Sequence, residues 1–380
     1  MQEFKESMKA LQAAALHPGK TVRLSMRETG REAIGCFPIY TPDEIVYAAG
    51  YLPVGMWGGK TQIRLADKYL QGFCCSIMRA NMEFGLQGTY DFLKAVIIPA
   101  FCDTLKCICE NWKVAVPQIP AIPMVYPQNR KLETGFRYLI AELKRVKKEI
   151  EGIKGAEISE AELEKAFRIY EEYRAVMRDF VKASAVHPLT VSPVARHLII
   201  KAGFFMDKAK YTALVRGIVE GLQALPEEKC RGVKAVATGL IGEPAELPEI
   251  FGENGICIAA DDFAQESRQF RVKGREEGSV WEKMAYRTVD QEGCTFLFDE
   301  EKPKGRMLIR MTEETGAKAV IVCMMKFCDP EEFDFPVIKE ELEAARIPIL
   351  CLEIDQQMDS FEQIRTRVQS FVEMLNEDVI

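Results

Sequence analysis

Histidine is almost missing from these 380 residues: only His17, His187 and His197 occur, and no two are neighbours. A zinc knuckle or a Ser-His-Asp hydrolase finds little to work with, and no Gly-x-Ser-x-Gly elbow is present. All three histidines fall in stretches that read as helix or linker, away from the ends of the expected strands. No Cys-x-x-Cys occurs either, which removes the spacing of thioredoxin-like exchange and of ferredoxin-type tandem ligation. The glycines of GLIGEP and MWGGKT match neither a dinucleotide-binding turn nor a phosphate loop with its Lys-Ser/Thr ending. Basic excess is lacking as well, since 50 Lys and Arg face 57 Asp and Glu for a formal charge of -7. That balance leaves no broad field for nucleic acid. No apolar run reaches membrane-spanning length. The opening MQEFKESMKALQAAALHPGK interrupts its apolar residues with charge, as an amphipathic helix does and an export signal does not.

What remains is the composition of a soluble, ordered chain, 48% hydrophobic and 28% charged, long enough for two domains. Eight short apolar runs predict buried strands: Ala33-Cys36, Leu52-Met56, Ala95-Pro99 and Ile122-Tyr126, then Val233-Thr238, Ile256-Ala260, Ala319-Met324 and Ile349-Ile354. Most are followed by a turn signal and a helical stretch. The fold class is therefore α/β, with two flavodoxin-like (Rossmann-like) parallel-sheet lobes and a helical region between them. The expected division is an N-terminal helical segment over 1–30, a first α/β lobe over 31–128, the helical region over 129–228, and a second α/β lobe over 229–380. The charge run from Lys144 to Glu151 reads as the solvated face of a helix.

Sites in such sheets gather at the carboxyl ends of strands, so the residues after each run matter most. Twelve cysteines without an export signal point to a reducing cytoplasm, where thiols pack or bind metal rather than pair as disulfides. Cys102, in VIIPAFCDTLK, follows a strand and starts a helix, where free N–H groups stabilise a thiolate or an anionic cluster. Cys328, in VCMMKFCDPEEF, precedes a helix start that reads Asp329 as N-cap, Pro330 first and Glu332 third after the cap. Cys36 precedes a similar start, with Thr41 capping, Pro42 first and Glu44 closing a capping box. Of the adjacent pair Cys74 and Cys75, only one is expected to serve a site. Cys230, Cys257, Cys294 and Cys351 read as small buried hydrophobes. Cys107 and Cys109 lie further along the helix after Cys102, in a spacing that is weak for zinc.

Two acidic groups also stand near strand ends. Asp261 and Asp262 follow a strand with Glu266, Arg268 and Arg271 shortly beyond, as either a ligand site or a structural charge network. Glu353 and Asp355 end the last strand, with Gln356 and Gln357 next, and their role is open at this level.

Taken in order, IGCFPIYTPDEIVYAAGYLPVGMWGG, the Cys75-Ser76 stretch, IIPAFCDTLK, AADDFAQESRQF, VCMMKFCDPEEFDFP and EIDQQ resemble the beta subunits of (R)-2-hydroxyacyl-CoA dehydratases, 2-hydroxyisocaproyl-CoA and 2-hydroxyglutaryl-CoA dehydratases above all. The resemblance extends over nearly the whole chain. It implies an alpha-beta heterodimer with a [4Fe-4S] cluster in each subunit, fed one electron by an ATP-dependent iron-sulfur activator protein. It implies Cys75, Cys102 and Cys328 as cluster ligands, with Cys36 as a fourth candidate. In such enzymes a ketyl radical of the 2-hydroxyacyl-CoA expels the hydroxyl and yields the enoyl-CoA. Substrate is expected chiefly at the alpha subunit's cluster or near the subunit interface, which makes this chain an electron relay. Within the same superfamily, a benzoyl-CoA reductase or double-cubane reductase subunit is the nearest alternative. A cluster-free α/β binding or scaffold protein is the alternative of another class.

Overall fold

The computed structural model of the chain describes residues 2–377. All eight apolar runs form strands: β1 Ala33–Cys36, β2 Leu52–Gly55, β3 Leu93–Pro99, β4 Ala121–Met124, β5 Val233–Gly239, β6 Ile256–Phe263, β7 Ala319–Met325 and β8 Ile349–Ile354. They make two four-stranded, all-parallel sheets, ordered β2-β1-β3-β4 and β6-β5-β7-β8. The second sheet repeats the strand order of the first, so both lobes are flavodoxin-like.

Why these runs become central strands is plain from β7, where every residue of AVIVCMM is buried. A parallel strand covered on both faces loses the polar alternation of an exposed sheet. Around the sheets lie α1 Gln2–Leu16, α2 Pro18–Thr29, α3 Asp43–Ala48, α4 Ser76–Leu86 and α5 Asp103–Ala115. Four successive helices follow β4: α6 Glu133–Lys154, α7 Glu160–Ala185, α8 Pro193–Ala202 and α9 Lys208–Gln223. The second lobe carries α10 Glu246–Glu253, α12 Lys304–Thr315, α13 Asp329–Ala344 and α14 Glu362–Glu377, while α11 Val280–Val289 packs back on α6 and α7 against the first sheet's core. Helix α7 begins with a full capping box between Ser159 and Glu162, and α1 packs on α8 and α9 around Leu11, Phe180 and Tyr211. Among the described residues, no helix is long and apolar enough to cross a membrane.

Several local expectations are corrected. Asp261 and Asp262 lie within β6, paired with Ala237 and Thr238, rather than after it; their charge is neutralised inside the sheet's end. The helix after Cys328 starts one residue early: Cys328 is the N-cap, its carbonyl accepting from the N–H groups of Glu331 and Glu332 at 3.0 Å each, and Pro330 is second. Before α3 the N-cap is Pro42, not Thr41. The Thr41 hydroxyl donates back to the Phe37 carbonyl, and Glu44 turns its carboxylate to Arg174 and Arg287 instead of closing a box. Cys230 and Cys257 are not separate thiols but a disulfide joining the entry of β5 to β6. His197 stands at a sheet rim after all, with Nδ1 2.8 Å from Oε1 of Glu266 just past β6.

Candidate functional site

Three helices present their first turns to one cavity, and the N-cap of each is a cysteine: Cys75 for α4, Cys102 for α5 and Cys328 for α13. Two come from the first lobe and one from the second, so the cavity lies between the lobes. Cys75 and Cys328 are buried and Cys102 is half-buried. The rest of the lining is mostly apolar, including Ile39, Trp57, Leu240 and Phe296. Each position follows from its strand: β3 and β7 run out into tight turns that deliver Cys102 and Cys328 at the carboxyl end of a sheet. At Phe327 the turn enters the left-handed region, with φ of 63°. Helix α5 is fixed from behind by Trp112, fully buried, edge-on to Phe37 at 5.5 Å and donating to the Ile119 carbonyl at 3.0 Å.

The electrostatics of the three sulfurs share one pattern. Burial pushes the Cys75 thiol up to about 12, and it raises Cys102 and takes Cys328 well above the ordinary thiol range. Negative charge on Cys102 raises Cys75 further, and that on Cys75 and Cys102 raises Cys328, as expected of three thiols lining one cavity. Against this, backbone N–H groups of each helix's own first turn favour the anion: Met78 and Ile77 at Cys75, Leu105 and Thr104 at Cys102, Glu331 at Cys328. The arrangement resists a bare thiolate yet offers oriented dipoles to sulfur whose charge is shared with a metal. Among the described residues, no three His, Cys, Asp or Glu side chains close around a single metal-ion position. A polynuclear cluster takes each sulfur on a different iron and so draws its ligands from a wider ring.

The other cysteines separate from this group. Cys36 belongs to the core on the other face of the first sheet and lines a neighbouring cavity with Asp43 and Phe204. Cys74 turns away toward Gln71, with Sγ 4.0 Å from Oε1. Cys107 is exposed on α5, while Cys109, Cys294 and Cys323 are buried. Asp261, Asp262 and Glu266 form a charge network. Arg196 bridges Asp261 and Glu266, while Arg268 and Arg271 hold Asp262.

A latch over the cavity lay hidden in plain polar residues. Gln356, 1% exposed, accepts from the Gly59 N–H at 3.1 Å and donates to the Trp57 carbonyl at 2.8 Å. Its own N–H donates to Ser76 Oγ at 3.1 Å, beside Cys75. Gln357 accepts from the Thr61 N–H at 2.8 Å and donates to the Gly59 carbonyl at 2.9 Å. Loops after β2 and β8, one from each lobe, are thereby tied together. Gly58 and Gly59, with φ of 72° and 151°, make the strand-end loop possible, and a Cβ on Gly58 would meet Gln356 Oε1 at 2.5 Å. The signal for this pair was the conjunction of two adjacent glycines and two adjacent glutamines, uninformative until the loops are seen to meet.

Comparison with known proteins accords with this geometry. A model of the family described as 2-hydroxyglutaryl-CoA dehydratase, D-component, matches residues 38–375. The beta subunit of lactoyl-CoA dehydratase from Anaerotignum propionicum is 46% identical over 99% of this chain and 100% of its own. The (R)-phenyllactyl-CoA dehydratase beta subunit of Clostridium sporogenes is 40% identical, over 94% of this chain and 96% of its own. Subunit beta of (R)-2-hydroxyglutaryl-CoA dehydratase from Acidaminococcus fermentans is 35% identical over the same two shares. With a match of that extent and two sheets whose rims meet at three cysteines, the chain belongs to the 2-hydroxyglutaryl-CoA dehydratase D-component family.

Proposed function

We propose that this chain is the beta-type subunit of a 2-hydroxyacyl-CoA dehydratase, with a [4Fe-4S] cluster on Cys75, Cys102 and Cys328. In this reading it relays an electron from an ATP-dependent iron-sulfur activator to an alpha subunit, and water leaves an (R)-2-hydroxyacyl-CoA to give the (E)-2-enoyl-CoA. The observation that carries it is the meeting of three cysteine N-caps in one mostly apolar cavity. When bound, the cluster supplies one-electron chemistry at low potential.

The chain's own residues do the rest. Cys75, Cys102 and Cys328 supply sulfur, and the first-turn N–H groups behind them stabilise negative charge there. Trp57, Leu240 and Phe296 keep water from the sulfurs. Three protein sulfurs leave one iron to a fourth ligand; Cys36, the fourth candidate, packs on the other face of the first sheet and lines the neighbouring cavity. The relatives' designation as beta subunits supports an alpha partner, with the acyl-CoA at or near the subunit interface.

The test is iron and acid-labile sulfide per chain in anoxically purified protein, with Cys75→Ala, Cys102→Ala and Cys328→Ala alongside. About four irons per chain, lost in each variant, are expected. Iron-free wild type, alone and with its partner subunit, would reduce the cysteines to packing.

A further inference from the structure

The GLIGEP stretch, which matches no phosphate loop in sequence, is the turn that leaves β5, an inner strand of the second sheet. Leu240 of this turn lines the thiol cavity, and Glu243, three residues on, is 5% exposed. A carboxylate so buried needs compensation, and donors from three parts of the chain supply it. Oε1 accepts from Nζ of Lys201 on α8 at 2.9 Å and from Nε2 of Gln265, just past β6, at 2.7 Å. Oε2 accepts from Nε2 of Gln356, past β8, at 3.4 Å. Burial works to raise this carboxyl, yet the Lys201 ammonium and His197 beside it hold it below the ordinary range, so it is an anion near neutral pH.

The contact with Gln356 is the one that reaches the cysteines. Every hydrogen-bonding atom of that amide is used: the oxygen takes the Gly59 N–H, one N–H goes to the Trp57 carbonyl and the other to Glu243. The main-chain N–H of Gln356 goes to Ser76 Oγ, and that hydroxyl donates onward to Met325 Sδ at 3.5 Å. Ser76 directly follows Cys75, and Met325 ends the strand that leads to Cys328. A line of buried contacts therefore runs from the helical region, through Glu243 and Gln356, to the turns that hold two of the three sulfurs. The three side-chain groups bonded to Glu243 are all donors, and a carboxylate offers acceptors to all of them. Glutamine in its place would aim an NH2 either at Lys201 and Gln265 or at Gln356, setting donor against donor.

We infer that Glu243 is a positioning residue of the cysteine site, fixing through Gln356 the amide orientation that keeps the wall beside Cys75 closed. Glu243 acts only at second hand, through the amide that holds Trp57 and Ser76 in place. Its bearing on a cluster rests on the reading proposed above, while its hold on the surroundings of Cys75 belongs to the chain with or without iron. Glu243→Gln keeps the volume of the side chain and removes its charge, so what it disturbs is the choice of amide orientation rather than packing.

Labelling of Cys75 by iodoacetamide in the full chain, purified without oxygen and followed by site-resolved mass spectrometry, tests the inference. The rate is read whether or not iron is bound, so failure of the cluster reading and failure of this one are told apart. Glu243→Gln should speed labelling about tenfold, the worth of one hydrogen bond to a charged group. Gln356→Glu sets two carboxylates against each other and should label faster than wild type as well. Adding Glu243→Gln to Gln356→Glu removes that repulsion and should slow labelling, a reversal of sign that two independent defects cannot produce. The reversal also decides the matter where Glu243→Gln alone fails to fold. A Glu243→Gln rate within about twofold of wild type, or effects that simply multiply in the double variant, would overturn the inference and leave Glu243 as the structural partner of Lys201.

Discussion

Replacing Gln356 by alanine tests whether the two lobes are held together at the cysteine site. The side chain satisfies the Gly59 N–H and the Trp57 carbonyl, and both lose their partner in Gln356→Ala. A buried backbone group left unpaired costs about 1–3 kcal/mol, so the two together give about 2–6 kcal/mol, reduced if water enters. For 380 residues the unfolding entropy is roughly 0.8 kcal/mol per degree, at about 2.1 cal/mol/K per residue. The expected loss is therefore about 3–8 °C in Tm by differential scanning calorimetry under anoxic conditions. Release of iron to a chelator should quicken in the same variant, because the loop carrying Trp57 forms part of the cavity wall. Lys60→Ala, at an exposed pair with Asp359 in the same loop, should stay within about 0.5 kcal/mol of wild type. A Gln356→Ala protein with unchanged Tm and unchanged iron release would refute the latch.

Further outcomes follow from the same structure. Cys36→Ala should keep its full iron complement, measured by the colorimetric assay that detects loss in Cys75→Ala. Glu44→Gln leaves Arg174, 1% exposed, with Glu171 alone, and should cost about 3 kcal/mol in chemical denaturation, largely independent of salt. Trp112→Ala removes the support behind α5 and should cost about 3–5 kcal/mol, with weakened iron retention as a second readout. Asp43, raised from 3.8 to about 6, favours folding while protonated. That contribution is complete below about pH 4 and is lost as pH rises through 6. Relative to wild type, Asp43→Asn should therefore gain on the order of 3 kcal/mol between those limits, and a pH-independent difference would contradict the burial of this carboxyl.

How far the sequence could be read depended on the range of the interaction involved. All eight strands were legible because a strand buried on both faces writes its environment into consecutive residues, as Ile349–Ile354 and Ala33–Cys36 do to the residue. Helix starts were legible only to within a residue. Thr41 and Asp329 are good caps in isolation, but the Thr41 hydroxyl found the Phe37 carbonyl first, and Cys328 already held the cap position. Asp261 and Asp262 look like a strand terminus because charge rarely enters a sheet. Arg196, Arg268 and Arg271, distant in sequence or beyond a turn, make it tolerable. The Cys230–Cys257 bridge and the Gln356 latch depend on partners 27 and nearly 300 residues away, and no local pattern announces either.

The same distinction explains the three cysteines. Cys102 and Cys328 were recognisable singly as residues at a strand-to-helix turn, but so was Cys36, and Cys75 was set apart from its neighbour Cys74 only by the family resemblance. Convergence separates them, and it comes from the repeated topology: β1 and β3 in one sheet occupy the places of β5 and β7 in the other. Facing two such sheets across a shared cavity brings the turn after β3 against the turn after β7, and the start of α4 closes the third side. Cys36, at the end of β1, packs on the opposite face of the sheet, as the period-two geometry of a strand dictates, and not among the three N-cap cysteines. The register that pairs Cys36 with Gly55 and Ile97 sets that face, and it sends the next residue, Phe37, to the side where Trp112 packs.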